Sequence, residues 1–166
     1  MAGSSDKTEK IWDAKTGKLR VSLKGHRDYV SSAIFSPDGR HIISVGQGQD
    51  GTVRIWNANQ IPEPLTLDGH TSLGTSVAFN TDGSVVASGC LDKSVRLWNT
   101  LTGKLLHTFL SDSNMVNGIA FSPDGKRLAC VGKDVKILDT SSGRVILNFR
   151  PVETVHRVRF SPDGQW

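Results

Sequence analysis

The chain has 166 residues, 37% of them apolar and 22% charged, an ordinary globular composition with enough length for one core. No run of 18 apolar residues occurs and Met1–Ile11 lacks a continuous apolar stretch, so neither a helical membrane span nor a signal peptide is expected. Two cysteines, Cys90 and Cys130, make no disulfide framework, and a reduced cytoplasmic setting is expected.

The predicted elements start with two strands, Thr8–Asp13 and Lys18–Leu23. The segment that contains them, residues 1–27, carries the whole net charge of +4, with seven Lys/Arg against Asp6, Glu9 and Asp13. Lys alternating with polar residues there reads as a solvated strand edge rather than a phosphate-tracking stripe, so nucleic acid is not an expected partner. Gly25-His26 opens a unit that ends near residue 68, and Phe35-Ser36-Pro37-Asp38-Gly39 lies within it. Gly69-His70 opens the next. Its strands are Ser76–Phe79, Val85–Ser88, Ser94–Trp98 and Leu105–Phe109, joined by polar turns at Asp82-Gly83, Asp92 and Thr102-Gly103. A third unit follows over residues 112–150, and Val155–Phe160 is the last predicted strand.

The leading Phe residues of the Phe-Ser-Pro-Asp-Gly turns, Phe35, Phe121 and Phe160, together with Phe79 of a worn copy, recur every 39 to 44 residues. Repeats of that length, each four short antiparallel strands, predict an all-β chain: a β-propeller of four-stranded antiparallel blades. Pro62 and Pro64 fall in a fourth-strand region and Pro151 just after one. Proline donates no ladder hydrogen bond, so that strand belongs at the outer rim and the strand ending in each Phe is innermost, along a central channel. The units are then 1–24 (third and fourth strands of a partial blade), 25–68, 69–111, 112–150, and 151–166 (a first strand and the start of a second). Three blades are complete and one is split between the termini. Two readings of the ends stay open: an incomplete piece of a longer propeller, or closure in which one terminus completes the blade begun by the other, within a chain or by self-association into a larger propeller.

Trp12-Asp13, Gly25-His26 and Gly69-His70, in phase with Trp56-Asn57, Trp98-Asn99 and Leu138-Asp139, resemble the WD-repeat (WD40) family over essentially the whole chain. The resemblance implies a buried hydrogen-bonded set in each blade. His70, Ser88, Asp92 and Trp98 match it fully, and His26, Ser44, Asp50 and Trp56 match with two extra residues before Asp50. The third unit departs, with Asp112 for His, Cys130 for Ser, Leu138 for Trp and a shorter turn before Val135. Pro151 takes the His position of the last partial unit, while Asp6 and Trp12 remain in the first.

The same residues carry no motif of catalysis. No Gly-rich phosphate loop with its Lys, no Cys-x-x-Cys and no His-x-x-x-His occurs. His26 is explained by the repeat, and Ser31-Ser32 and Ser141-Ser142 have no paired base. Nothing basic is placed to activate Cys130. No catalytic, metal or cofactor residues are therefore expected, and the chain reads as a non-catalytic scaffold for a protein or peptide. The alternative is an accessory propeller part of a larger enzyme or nucleic-acid-associated complex. The resemblance places the partner face on the Gly-His loops, at Tyr29, Ser31 and Gln49, at Leu73, Thr75 and Leu91, at Met115 and Asn117, and at Thr154 and His156. None is Lys or Arg, and aromatic, Leu and Met side chains beside hydroxyls and amides suit a peptide.

Overall fold

The computed structural model describes residues 2–3, 6–48, 50–59, 63–111 and 115–166; Met1, Gln49, Pro62 and Asp112 lie outside these. The fold is all-β, with four antiparallel sheets. A terminal sheet has strands β1 (Ala2–Gly3), β2 (Thr8–Trp12) and β3 (Leu19–Lys24). The first blade has β4 (Val30–Phe35), β5 (His41–Gly46), β6 (Val53–Asn57) and β7 (Leu65–Leu67). The second has β8 (Gly74–Phe79), β9 (Val85–Cys90), β10 (Ser94–Asn99) and β11 (Leu105–Leu110). The third has β12 (Gly118–Phe121), β13 (Arg127–Val131), β14 (Val135–Asp139) and β15 (Val145–Phe149). In each of the three blades the strands lie in chain order, as short turns between neighbours require.

Those turns are written in the sequence. In Phe-Ser-Pro-Asp-Gly the Ser36 hydroxyl donates to Asp38 Oδ1 at 2.6 Å, the Gly39 amide donates to the Ser36 carbonyl at 2.9 Å, and Gly39 takes φ +71°, a conformation open to glycine. The residue after each third-strand Trp or Leu closes the next turn. Asn99 Oδ1 accepts from the amides of Leu101 and Thr102 at 3.1 and 2.9 Å, and Asp139 Oδ1 accepts from Ser141 and Ser142 at 3.1 and 2.7 Å.

The second strands are buried almost end to end, at Ile42–Gly46, Val86–Cys90 and Leu128–Val131, so each of these sheets is covered on both faces and the cores lie between sheets. Ile43, Val45, Val53 and Ile55 of the first blade pack with Val77, Val86 and Trp98 of the second. Ala87, Val95 and Leu97 of the second pack with Val116, Ile119, Leu128 and Leu138 of the third. Leu23 joins Ile42 and Trp56, fastening the terminal sheet to the first blade. One polar residue breaks the pattern. Glu9 sits three places before Trp12, where Val53, Val95 and Val135 stand before Trp56, Trp98 and Leu138, and it is fully buried with neither carboxylate oxygen hydrogen-bonded.

Two expectations need correction. The terminal sheet has a third strand, β1, paired with Lys10 and Glu9, that its two-residue length had hidden. Val155–Phe160, expected as a strand, belongs to no sheet. The turn after it is formed, with the Gly164 amide on the Ser161 carbonyl at 2.9 Å and the Trp166 amide on Ser161 Oγ at 2.9 Å. Side-chain anchors hold the segment to the third blade: Asn117 Nδ2 donates to the Val155 carbonyl at 3.2 Å and Arg127 Nη2 to the Gly164 carbonyl at 2.8 Å. The Arg127 guanidinium also lies 5.4 Å from the centre of the Phe160 ring.

Candidate functional site

Two blades bring a His, a Ser, an Asp and a Trp together. In the second blade, Trp98 Nε1 donates to Ser88 Oγ at 2.8 Å, Ser88 Oγ lies 2.7 Å from His70 Nε2, and His70 Nδ1 lies 3.0 Å from Asp92 Oδ2. The carboxylate can only accept, so Nδ1 carries the ring proton and Nε2 accepts from the serine. In the first blade Trp56 Nε1 donates to Ser44 Oγ at 2.9 Å, Ser44 Oγ lies 2.7 Å from His26 Nε2, and His26 Nδ1 meets Asp50 Oδ2. Ser44 and Ser88 are on second strands and Trp56 and Trp98 on third strands, so each chain of bonds ties the loop before the first strand to the middle of its sheet. Burial pushes both imidazoles below their ordinary value, against the pull of Asp50 and Asp92, so both rings are held neutral. Burial pushes the Asp92 carboxyl up, but hydrogen bonds from Ser94, His70 and the Thr71 amide outweigh it and hold it well below the usual range.

The glycines before the two histidines have different causes: a Cβ on Gly25 would lie 3.1 Å from the Trp56 ring and against the Arg54 guanidinium, whereas Gly69 has room beside Arg96 and Trp98 but takes φ +147°. Those arginines escaped the sequence reading. Arg54 pairs across the strands with Ser44, Arg96 with Ser88, and Lys136 with Cys130. The +2 spacing before each third-strand Trp or Leu was the signal that could have found them.

His70, Cys90 and Asp92 also place potential metal-ligand atoms within 4.8 Å of one another. The donor set does not suit a cation. Both ring nitrogens of His70 are engaged, the Arg96 guanidinium lies 3.5 Å from Asp92, and burial pushes the Cys90 thiol up to about 11. The grouping is a hydrogen-bonded node.

The third blade has Cys130 and Leu138 where the other two have Ser and Trp. Beside them, between its face and the outer strand of the second blade, lies a cavity of about 240 Å³ lined also by Phe109, Met115 and Lys136. Burial raises the Cys130 thiol to about 12, so no thiolate is available there.

A larger cavity of about 590 Å³ runs along the innermost strands β4, β8 and β12 and the segment after Val155. Four of the expected partner residues line it: Ser31, Thr75, Asn117 and His156. Three of these make contacts that sequence reasoning did not foresee. Ser31 Oγ donates to the Gly74 carbonyl at 2.7 Å and Thr75 Oγ1 to the Val116 carbonyl at 2.6 Å, while Asn117 reaches Val155. Each side chain clips its own blade to the next one, so its polar atom faces the neighbouring backbone. Two places earlier stand Tyr29, Leu73, Met115 and Thr154. Tyr29 is 51% exposed and Met115 54%, Thr154 and His156 are exposed, and Leu73 and Leu91 are half-buried. Gln49 falls outside the described residues. None of the expected positions is cationic, but the cavity wall itself carries Arg157 and Arg159. Their alternation within Val155–Phe160 was legible; without a ladder, their facing was not.

Comparison with known proteins agrees with this geometry. The WD domain, G-beta repeat, matches residues 17–57, 63–99 and 103–137. The nuclear distribution protein PAC1-1 of Uncinocarpus reesii is 32% identical over 82% of this chain and 25% of its own length. The autophagy-related protein 16 of Arabidopsis thaliana is 31% identical over 81% of this chain and 26% of its own. The small ribosomal subunit protein RACK1 of Caenorhabditis elegans is 34% identical over 88% and 31%. The chain thus spans about a quarter to a third of the length of these relatives. Repeated turns, two complete His–Ser–Asp–Trp sets and the three matched repeats all describe one kind of unit, and the chain belongs to the WD40 repeat family.

Proposed function

We propose that the chain is a non-catalytic scaffold that binds a protein or peptide through the face bearing its Gly-His loops. The observation that carries this reading is the pair of half-exposed side chains Tyr29 and Met115, set two residues before positions that line the 590 Å³ cavity. Exposed aromatic and Met side chains on a loop face supply large apolar contact at low entropic cost. The titratable groups favour binding over chemistry. Both network histidines are neutral and hydrogen-bonded, and both thiols are buried and protonated. Free, buried Cys90 and Cys130 suit a reducing compartment, and we place the protein in the cytoplasm. Among the described residues no helix is long and apolar enough to cross a membrane.

Selection of a displayed peptide library on the purified chain tests the reading. Peptides recovered on the wild type are expected to lose at least about tenfold in affinity for a Tyr29→Ala/Met115→Ala variant. Peptides that bind both proteins equally, or saturable turnover abolished by His156→Ala, would overturn it.

A further inference from the structure

The two interfaces between four-stranded blades differ at one position. Between the first and second blades, Trp98 of β10 sits in a cluster with Val53, Ile55 and Leu67. Its indole N–H donates to Ser88 Oγ at 2.8 Å, and its ring reaches the Gly-His loop, 3.5 Å from where a Cβ on Gly69 would lie. Between the second and third blades, Leu138 of β14 holds the matching place, in a cluster with Val95 and Leu97. Cys130 stands there for the serine. Leucine carries one short branch where tryptophan carries two fused rings, so the same gap between sheets is left unfilled.

What remains is the cavity of about 240 Å³. Close-packed interiors leave few voids larger than a water molecule, so a space of this size between two complete sheets stands out. Its walls come from both blades: Val95 and Phe109 from the second, Cys130, Leu138 and Val145 from the third, and Met115 from the connection between them. The Phe109 ring and the sulfur atoms of Met115 and Cys130 favour an aromatic occupant over a saturated one. Thr108, Ser111 and Lys136 give the lining a polar share, so a ring with one N–H suits it better than a bare hydrocarbon. An apolar cavity of about 150 Å³ takes a benzene ring, and drug-sized sites begin at about 300 Å³. A space between those sizes fits one bicyclic ring and not a stretch of peptide.

We propose that this cavity is a binding site for a free small molecule built on one bicyclic heteroaromatic ring of the indole type. The ring occupies the space beside Leu138 that the side chain of Trp98 fills at the preceding interface. The inference goes beyond the scaffold reading, with which it shares only Met115.

The test is isothermal titration calorimetry of the purified chain with indole. Cyclohexanol is the saturated control, and an acetylated, amidated Gly-Trp-Gly peptide stands for a partner's side chain. Indole is expected to bind saturably at one site, at least about tenfold more tightly than either. The Leu138→Trp/Cys130→Ser variant places the second blade's Trp–Ser pair inside the cavity. It is expected to weaken indole binding at least about tenfold and to raise the thermal midpoint. If that variant loses its cooperative melt, Leu138→Phe, a smaller filling, is measured in its place with the same direction of change expected. Absence of saturable indole binding overturns the proposal, as does equal indole affinity in a folded, filled variant. Cyclohexanol binding as tightly as indole removes the aromatic class, and tighter binding of the peptide makes a partner's side chain the occupant; either result overturns it. A chain that binds no indole yet keeps Tyr29-dependent peptides loses this inference alone, and the scaffold reading stands.

Discussion

The second and third blades share strand order and antiparallel register, yet they are held differently. In the second, Trp98 is 2% exposed and stands at one end of a bonded chain that reaches Asp92 in the loop between β9 and β10. In the third, Leu138 and Cys130 take those places, and the loop contracts. Five residues separate the paired Gly89 and Val95, but only three separate Val131 and Val135. The short loop closes on itself, the Gly132 amide donating to the Asp134 carbonyl at 3.0 Å. The sheet and its inter-blade core are therefore sufficient to build a blade. The buried network instead fixes a longer loop, and with it the position of the residues that rim the cavity.

The largest expected effect tests that division of labour. Asp92→Ala removes the carboxylate acceptor of the buried His70 Nδ1–H, leaving only Ser94 Oγ at 3.2 Å beside it among the described residues, and should cost about 1–3 kcal/mol. Asp134→Ala removes an acid whose Arg150 partner is solvent-exposed at 2.8 Å, and should cost less than about 1 kcal/mol. Urea melts of the two variants measure both, and equal losses would break the comparison.

A second contrast sets the blades against the terminal sheet. Burial holds Glu9 up at about 7 against an ordinary 4.5. As pH falls from about 7 towards 4.5, the folded chain takes up a proton that the unfolded chain does not yet bind, so this group's contribution to stability rises. His26 and His70 run the other way. Their folded values lie below the ordinary 6.5, so as pH falls through 6.5 the unfolded chain takes up protons the blades refuse, and stability falls. Glu9→Val restores the residue type found in the three blades. It should stabilise the chain by about 1–2 kcal/mol above neutral pH and leave a plain decline in acid. A thermal midpoint lowered by the substitution at alkaline pH would show that the carboxylate is satisfied in solution.

The smallest effect belongs to the inter-blade clips. Thr75→Val keeps shape and removes the hydroxyl that bonds the Gly89 and Val116 carbonyls at 2.9 and 2.6 Å, for a loss of about 1 kcal/mol. Hydrogen exchange should then quicken at Val116 and Asn117 before it does within β9 and β10. Unchanged exchange there would assign Thr75 to the cavity surface alone.

Much of this was readable from local chemistry. The Phe-Ser-Pro-Asp-Gly turns, the period-2 strands and the Gly-His and Trp-Asn pairs each act over a few residues, and such patterns survive in one dimension. Glu9, Arg157 and Arg159 were not readable in the same way. A Glu on a Lys-rich strand looks solvated until its face is found against the first blade, and alternate arginines look like a surface until the facing strands turn out to leave a cavity.

By itself the sequence determined the kind of unit, its repeat length and the side chains able to form each buried set, because turn chemistry and strand alternation are set by neighbours in the chain. The tertiary structure alone decided which polar groups face another blade's backbone and which carboxylate is left unpartnered. Those depend on contacts between residues about 40 positions apart, as when Ser31 reaches Gly74, and only the stacking of one sheet on the next brings such residues together.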